Sequence, residues 1–113
     1  MADNCIFCKI GSGEIPSNFI YEDDRVVAFR DIDPQAPEHI LIIPKAHYDS
    51  ILNVEEGDLI AHIHKIAVQL AKELGLDEKG FRIVNNCGED GGQSVPHLHF
   101  HLLGGRAMGW PPG

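Results

Sequence analysis

Residues 93–103 read Gln-Ser-Val-Pro-His-Leu-His-Phe-His-Leu-Leu, with a histidine at every second position from 97 to 101. Successive side chains of a β-strand point to opposite faces, so the alternation predicts a strand over residues 95–103 with His97, His99 and His101 on one face. The apolar residues between them would point the other way and pack beneath a helix. The stretch therefore predicts a strand that presents three imidazoles while remaining anchored in the core.

The surrounding sequence predicts a small α+β domain. Four further strands are predicted at residues 19–23, 25–31, 39–44 and 81–86, and a short helical turn at residues 5–11. One long helix is predicted over residues 55–74, because its apolar residues recur at helical spacing and Gly75 follows as a C-cap. Five strands, short turns and one principal helix indicate a mostly antiparallel sheet. A length of 113 residues predicts a single domain over residues 1–113.

Composition excludes several classes of partner. The chain has 17 acidic and 9 Lys or Arg residues, a net charge of −8, and no basic cluster, which argues against binding to polymeric nucleic acid. No apolar run reaches the length of a membrane span, and the first residues lack a signal-peptide pattern. Three cysteines without a secretory signal favour reduced thiols and a cytoplasmic location. None of this excludes a small phosphorylated ligand.

Three interpretations of the histidine strand are open from the residues alone. A solvated face would normally mix Thr, Lys, Glu and Ser rather than repeat histidine. A metal site could use two of the histidines, but the outer two Cα atoms lie about 13 Å apart at roughly 3.3 Å per residue, so three cannot share one ion. A neutral imidazole is also a good nucleophile toward phosphorus, and neighbouring histidines can orient it and supply protons. The sequence favours this third interpretation.

Residues 97–103 resemble the signature of the histidine triad family, in which histidine alternates with apolar residues. Residues 29–39, 43–47 and 90–95, together with the terminal Trp-Pro-Pro-Gly at 110–113, are similar to the Hint branch in particular. The resemblance covers nearly the whole chain. It implies a HIT-like fold with a short N-terminal helix, and a homodimer whose two five-stranded sheets join into one ten-stranded sheet.

The resemblance also implies an activity, which is hydrolysis of the P–N bond of purine nucleoside 5′-monophosphoramidates. His99 would be the nucleophile and would form a covalent nucleotidyl-imidazole that water then hydrolyses. His101 would contact the phosphate, His97 would support the nucleophile, and His39 would be a fourth member of the catalytic cluster. The alternatives are hydrolysis of dinucleoside polyphosphates, a nucleotide-binding or adaptor protein with incidental turnover, and a zinc hydrolase with His97 and His99 as ligands.

Substrate-binding residues are predicted beside the triad. The pair Gly91-Gly92 lets backbone amides approach an anion, and Gln93 and Ser94 can donate hydrogen bonds, although a Gly-Gly pair also marks a plain hairpin turn. By resemblance, Ser94 would touch the phosphate or leaving group, and a purine nucleoside monophosphate or phosphoramidate would be the ligand. The remaining residues implied by the resemblance are Asn86 near the nucleotide, Asp31 on the ribose, Phe7, Ile10 and Ile32 around the base, and Trp110 reaching toward the partner subunit's site.

Cys5 and Cys8 form a Cys-x-x-Cys pair, which could be a redox site, half of a metal site or a coincidence. A redox pair usually follows a strand at the start of a helix, and no strand is predicted before Cys5. The resemblance implies a structural zinc held by Cys5, Cys8, His47 and His97, with no cofactor required for the chemistry itself.

Overall fold

The computed structural model describes residues 4–113. Its elements are α1 (Ile6–Gly11), β1 (Phe19–Glu22), β2 (Val26–Arg30), β3 (Glu38–Pro44), a 3₁₀ turn (Ile51–Asn53), α2 (Gly57–Glu73), β4 (Phe81–Val84) and β5 (Phe100–Gly104). The strands form one sheet in the order β1-β2-β3-β5-β4, and every neighbouring pair is antiparallel. The predicted α+β class, the five-stranded sheet and the long and short helices are confirmed.

Both faces of the sheet are covered, which explains the continuous apolar run of β3. Ile40 and Ile42 pack into a core with α2, whereas Leu41 and Ile43 pack into a second core with α1. All four side chains are buried. A strand with helices on both sides has no solvated face, so its sequence does not alternate. Because β3 lies at the centre of the sheet, it can carry side chains toward either helix.

Helix α2 begins and ends close to its predicted bounds. Leu74 is its C-cap, and Gly75 follows with a positive φ of 76°, a conformation that glycine adopts without steric penalty. The buried stripe of the helix consists of Leu59, Ile63, Ile66, Ala67, Leu70 and Ala71. In residues 4–113, no helix is both long enough and apolar enough to cross a bilayer.

The prediction of a strand over residues 95–103 is wrong at its start, because β5 begins only at Phe100. Pro96 has no N–H to donate to a ladder, and the N–H of His97 turns back to the carbonyl of Val95 at 2.8 Å. The N–H of Leu98 donates to the carbonyl of Tyr48 at 2.7 Å, outside β3. Residues 95–99 are therefore tied down by isolated hydrogen bonds rather than by a ladder.

The alternation of faces nevertheless persists along this segment. Leu98, Phe100 and Leu102 all belong to the core under α2, as predicted. His99 and His101 lie on the opposite side of the segment, with ring centroids 5.1 Å apart. Residues 95–97 form a bend, yet the side chains of residues 98–102 alternate between the two faces, so this alternation begins before hydrogen-bonded strand pairing does.

Asp23 joins the turn between β1 and β2 to helix α2. Its carboxylate accepts hydrogen bonds from the backbone N–H groups of Arg25 (2.8 Å) and Val26 (2.9 Å), from the Tyr21 hydroxyl (2.8 Å) and from His62 Nε2 (2.6 Å). Burial by itself would raise the pKa of Asp23, but these four hydrogen bonds outweigh it and hold that pKa well below its usual range. His62, which lies outside the apolar stripe of α2, is thus a structural residue.

We expect Asp23→Ala to lower the free energy of unfolding by about 2–3 kcal/mol at pH 7, because it leaves partly buried donors without an acceptor. Since the folded-state pKa is depressed, the contribution is full above the unfolded-state value of about 4 and declines as the pH falls below it. Urea unfolding at pH 7 and pH 3 measures both effects. Asp24→Ala, at the exposed neighbouring position, is the control. An equal loss of stability in the two variants would contradict the assignment.

Candidate active site and metal-binding cluster

His99 is held in one orientation by its own strand segment. Its Nδ1 lies 2.8 Å from the carbonyl oxygen of His97, and a carbonyl can only accept, so Nδ1 carries the proton. His99 is 3% exposed, and the ring of Phe7 packs against its imidazole at a steep angle with centroids 5.1 Å apart. Neutral His99 therefore keeps an unprotonated Nε2, the form in which an imidazole acts as a nucleophile.

A cavity of about 280 Å³ opens beside His99 and His101. Every buried polar side-chain atom in residues 4–113 has a hydrogen-bond partner. Within these same residues, the Nε2 atoms of His99 and His101 have no hydrogen-bond partner, so neither atom is fully buried. The cavity lining is Ile6, Phe7, Ile10, Phe29, Arg30, Asp31, Ile32, Leu41, Ser94, Val95, His99 and His101.

The cavity brings together five of the nine predicted substrate-binding residues. Its lining includes Asp31, Ser94 and the three predicted base-contacting residues. Phe7 and Ile10 are buried in it, whereas Ile32 is fully exposed at its rim. Of the residues that sequence reasoning missed, Phe29 and Leu41 lie on the α1 side of β2 and β3, and their places on that face are the sequence signal that could have identified them.

His39 reaches the same site from β3. It lies opposite Leu103 in the ladder, so its diagonal neighbour on β5 is His101. The Nε2 atom of His39 lies 2.8 Å from Nδ1 of His101 and 3.5 Å from an Asp31 carboxylate oxygen. Two imidazole nitrogens on one tetrahedral ion would be about 3.3 Å apart, so 2.8 Å fits an N–H···N hydrogen bond better than a shared metal.

Burial keeps both of these imidazoles neutral. It lowers the pKa of His101 to about 4, and the neighbouring His99 and His39 add to the shift, whereas Asp31 opposes it. Burial also lowers the pKa of His39, against the opposing effect of Asp31 and Asp33. At neutral pH, therefore, each ring has one N–H and one lone pair to offer.

A second cluster of side chains surrounds the ring of His97, where two thiols and two imidazoles converge. Cys5 Sγ lies 3.2 Å and Cys8 Sγ 3.4 Å from Nδ1 of His97, and Cys8 Sγ lies 3.2 Å from Nδ1 of His47. All four ligand atoms lie within 4.8 Å of one another. Ligands around a tetrahedral zinc ion are about 3.3–3.8 Å apart, so this donor set fits such an ion and can hold a metal.

The Nδ1 atoms of these two histidines face the cluster, and their other ring nitrogens, Nε2, donate hydrogen bonds outside it. His97 Nε2 donates to the carbonyl of Pro44 at 2.9 Å, and His47 Nε2 donates to the Asp49 carboxylate at 2.7 Å. In the neutral rings, therefore, both Nδ1 atoms carry a lone pair and are available as ligands, an arrangement common around structural metals. Because both nitrogens of His97 are engaged here, His97 and His99 cannot share one ion. This geometry disfavours the zinc hydrolase alternative.

The glycine-rich loop before β5 is tight for a steric reason. A Cβ at Gly91 would lie 2.3 Å from the carbonyl oxygen of Cys87, so no side chain fits there. The amide of Asn86 donates to the Gly91 carbonyl at 2.7 Å. Gly92 has a φ of 76°, the region that favours glycine. Close backbone packing accounts for Gly91, and the positive φ accounts for Gly92.

Gln93 is engaged within the protein. Its amide nitrogen donates to the carbonyls of Asp49 (2.7 Å) and Val95 (3.0 Å), and its amide oxygen accepts from the Gly88 N–H (3.0 Å). The structure does not bring it into the cavity beside His99. Among the predicted binding residues, those outside the cavity lining are Asn86, Gly92, Gln93 and Trp110.

Trp110 is 83% exposed. The carbonyl of its neighbour Gly109 accepts a hydrogen bond from Arg82 at 2.7 Å. A larger cavity, of about 570 Å³, lies between the end of α2 and residues 105–107, but its lining contains no histidine, cysteine or carboxylate. The smaller cavity is therefore the candidate active site.

Comparisons with known proteins agree with this geometry. The model of the HIT domain family matches residues 12–108. A 14 kDa zinc-binding protein of Brassica juncea is 54% identical over 112 residues, which are 96% of this chain and 98% of that protein. Adenylylsulfatase HINT1 of Arabidopsis thaliana is 51% identical over 113 residues, covering 96% and 76% of the two chains.

A solved structure matches equally well. A HIT family hydrolase from Legionella pneumophila Philadelphia 1 superposes with a TM-score of 0.93 at 54% identity, covering 97% of this chain and 100% of that one. Sequence, fold and the arrangement of histidines thus lead to the same assignment. This chain belongs to the HIT domain family.

Proposed function

We propose that this protein is a hydrolase that cleaves the P–N bond of AMP or GMP phosphoramidates through a covalent nucleotidyl-histidine on His99. The observation that carries the proposal is the fixed His99 ring. Its Nδ1–H is committed to the His97 carbonyl, and its Nε2 is free at a cavity that also holds His101 and Asp31.

The proposed chemistry has two displacements at one phosphorus. In the first, Nε2 of His99 forms a bond to the α-phosphorus, the P–N bond breaks, and the leaving nitrogen takes up a proton and departs as an amine. In the second, water attacks the same phosphorus and gives up a proton, which balances the one taken up by the amine, the Nε2–P bond breaks, and the nucleoside monophosphate is released. Covalent catalysis of this kind divides one difficult displacement into two easier ones. His101, adjacent to His99, would stabilise the charge that develops on the phosphate.

The rest of the cavity supports a mononucleotide as the ligand. Asp31 offers carboxylate oxygens that can accept from ribose hydroxyls, and Phe7 and Ile10 provide an apolar wall for a purine. A volume of about 280 Å³ is at the small end for ligand pockets, which favours one nucleoside over a dinucleoside polyphosphate. Ser94 lines the cavity next to His99 and is proposed to hydrogen-bond to the phosphate or the leaving group.

A second substrate class is favoured by one relative. The Arabidopsis thaliana protein that is 51% identical to this chain is named an adenylylsulfatase. The same attack by His99 on an α-phosphorus would release sulfate instead of an amine, with the same nucleotidyl-histidine in between. Adenylyl sulfate is therefore a rational second substrate to test beside the phosphoramidate.

We further propose that Cys5, Cys8, His47 and His97 hold a structural Zn²⁺. A relative 54% identical to this chain is named a zinc-binding protein, and the four donors fit a tetrahedral ion. When bound, the metal would fasten α1 to the segment before β5 and leave His99 free. Thiol ligands require a reducing compartment, and all three cysteines are free thiols, so we also propose a cytosolic location.

His99→Asn and His99→Ala are expected to reduce phosphoramidate hydrolysis by at least about a thousandfold, because neither side chain can form the phosphorus bond. Release of AMP from adenosine 5′-monophosphoramidate gives the rate, and intact mass spectrometry detects a nucleotidyl adduct in the wild type only. His64→Asn, on the exposed side of α2, is the matched control and should be fully active. Appreciable turnover by both His99 variants would overturn the nucleophile assignment.

We expect the purified protein to contain one equivalent of zinc, measured by elemental analysis, and Cys8→Ala to lose it. Loss of the metal should lower the melting temperature markedly while the still-folded protein keeps most of its activity, since the metal contributes folding energy rather than chemistry. Cys87→Ala, which leaves the cluster intact, is the control. Complete loss of activity with an unchanged melting temperature would instead indicate a catalytic metal.

We propose that the protein is a homodimer in which strand β4 pairs with its copy. In the sheet of residues 4–113, β4 is an edge strand bonded to β5 alone, and Phe81 at its start and Val68 on α2 are exposed apolar residues. Pairing of these edges would make one ten-stranded sheet. Sedimentation equilibrium is expected to give twice the chain mass of 12.5 kDa. A mass of one chain at micromolar concentration would contradict this proposal.

A further inference from the structure

The loop between β2 and β3 donates a backbone hydrogen bond to a histidine of the site. The N–H of Gln35 points at Nδ1 of His39 at a distance of 3.0 Å. An N–H can donate only to a nitrogen that carries a lone pair, so Nδ1 of His39 is unprotonated. Neutral His39 must therefore carry its proton on Nε2.

That proton determines the state of the next ring. His39 Nε2 lies 2.8 Å from Nδ1 of His101, so His39 is the donor and Nδ1 of His101 the acceptor. With Nδ1 accepting, neutral His101 carries its own proton on Nε2, the atom open to the cavity. His99, in contrast, has its proton on Nδ1 and a lone pair on Nε2. Two adjacent imidazoles thus present opposite groups, one N–H and one lone pair.

The loop that carries Gln35, the first donor in this series of hydrogen bonds, is held by the segment after β5. Arg106 donates from Nε (3.1 Å) and Nη2 (2.9 Å) to the carbonyl oxygen of Gln35, and from Nη1 to the carbonyl of Ala107 (3.0 Å). Gly105 lies so close to Pro37 that a Cβ on it would come within 2.9 Å of that ring. The guanidinium fork and this close contact together fix the position of Gln35.

We propose that the Gln35 N–H, positioned by Arg106, sets the tautomers of His39 and His101 so that His101 offers an N–H donor to the substrate phosphate. Gln35 and Arg106 are positioning residues, because neither touches the reacting atoms. The assignment of the phosphate as the recipient rests on the proposed function, whereas the tautomers themselves do not. The ligand chemistry that the arrangement recognises is an anionic phosphate oxygen.

The opposite tautomer pair would be a poor site for that oxygen. If His39 carried its proton on Nδ1, the Gln35 N–H would face another N–H, and both donors would lose their acceptor. His39 Nε2 would then have to accept from His101, and the lone pair of His101 Nε2 would face the phosphate. Two lone pairs would repel each other where the site needs a donor. Asp31, whose carboxylate lies 3.5 Å from His39 Nε2, also favours the proton on that nitrogen.

Nuclear magnetic resonance of the ¹⁵N-labelled protein tests the tautomers directly. Long-range ¹H–¹⁵N spectra should place His39 and His101 in the Nε2–H form and His99 in the Nδ1–H form. Scalar couplings across the hydrogen bonds should join the Gln35 amide nitrogen to His39 Nδ1, and His39 Nε2 to His101 Nδ1. Finding the proton of either His39 or His101 on Nδ1 would overturn the proposal without any variant having to fold.

Variants test the contribution of Arg106. We expect Arg106→Ala to weaken the coupling between Gln35 and His39, to populate the Nδ1–H form of His101, and to lower kcat about tenfold with little change in KM. Arg106→Lys should restore part of both effects. Arg25→Ala, which removes a surface guanidinium paired with Asp58, is the control. An Arg106→Ala protein with wild-type tautomers and reduced kcat would show that Arg106 acts by another route and would overturn its assigned role.

Different results would overturn the proposed function and the proposed tautomers. Wild-type tautomers as assigned, with neither phosphoramidate nor adenylyl sulfate turned over, would support the hydrogen-bond chain and overturn the proposed function. Turnover of a substrate by a wild-type protein with the opposite tautomers would keep the function and overturn the chain.

Discussion

The antiparallel ladder between β3 and β5 is the constraint on which the rest of the structure depends. It sets Ile40 opposite Leu102 in the core under α2 and, diagonally across the ladder, brings His39 within hydrogen-bond distance of His101. The same ladder joins strands β1, β2 and β3 to strands β5 and β4 in one sheet. Core packing on one face and histidine contacts on the other are therefore two consequences of one register, and neither can form without the other.

Sequence reasoning worked where information is local. The alternation at residues 97–103 predicted the core face of β5, and the apolar spacing of α2 predicted that helix to within two residues at either end. It failed at the start of β5, where Pro96 and a bond from Leu98 to the distant Tyr48 carbonyl decide the outcome. Long-range partners of this kind leave no periodic signal. Only the family resemblance identified His39, since nothing near it in the sequence marks it as part of a site.

His97 connects the two clusters. Its Nδ1 faces the cysteines, its Nε2 is bound to Pro44, and its own carbonyl receives the Nδ1–H of His99. A side chain fixed by three polar neighbours in this way also restrains its peptide group, so the acceptor that orients His99 has little freedom to move. The order of the cysteine and histidine cluster and the orientation of the His99 ring are thus linked through His97, although the cluster and the ring perform different tasks.

The strand that carries the site is also the strand that fills the core. Along β5, Phe100 and Leu102 face α2 while His101 faces the cavity, so a slip by one position would bury histidine and expose leucine. Chains with that error could hold neither the cavity nor the hydrophobic centre. In a refolding mixture, only molecules with the native pairing of β3 and β5 would contribute to the catalytic rate. The recovered rate would consequently measure the fraction of chains that have reached the native register.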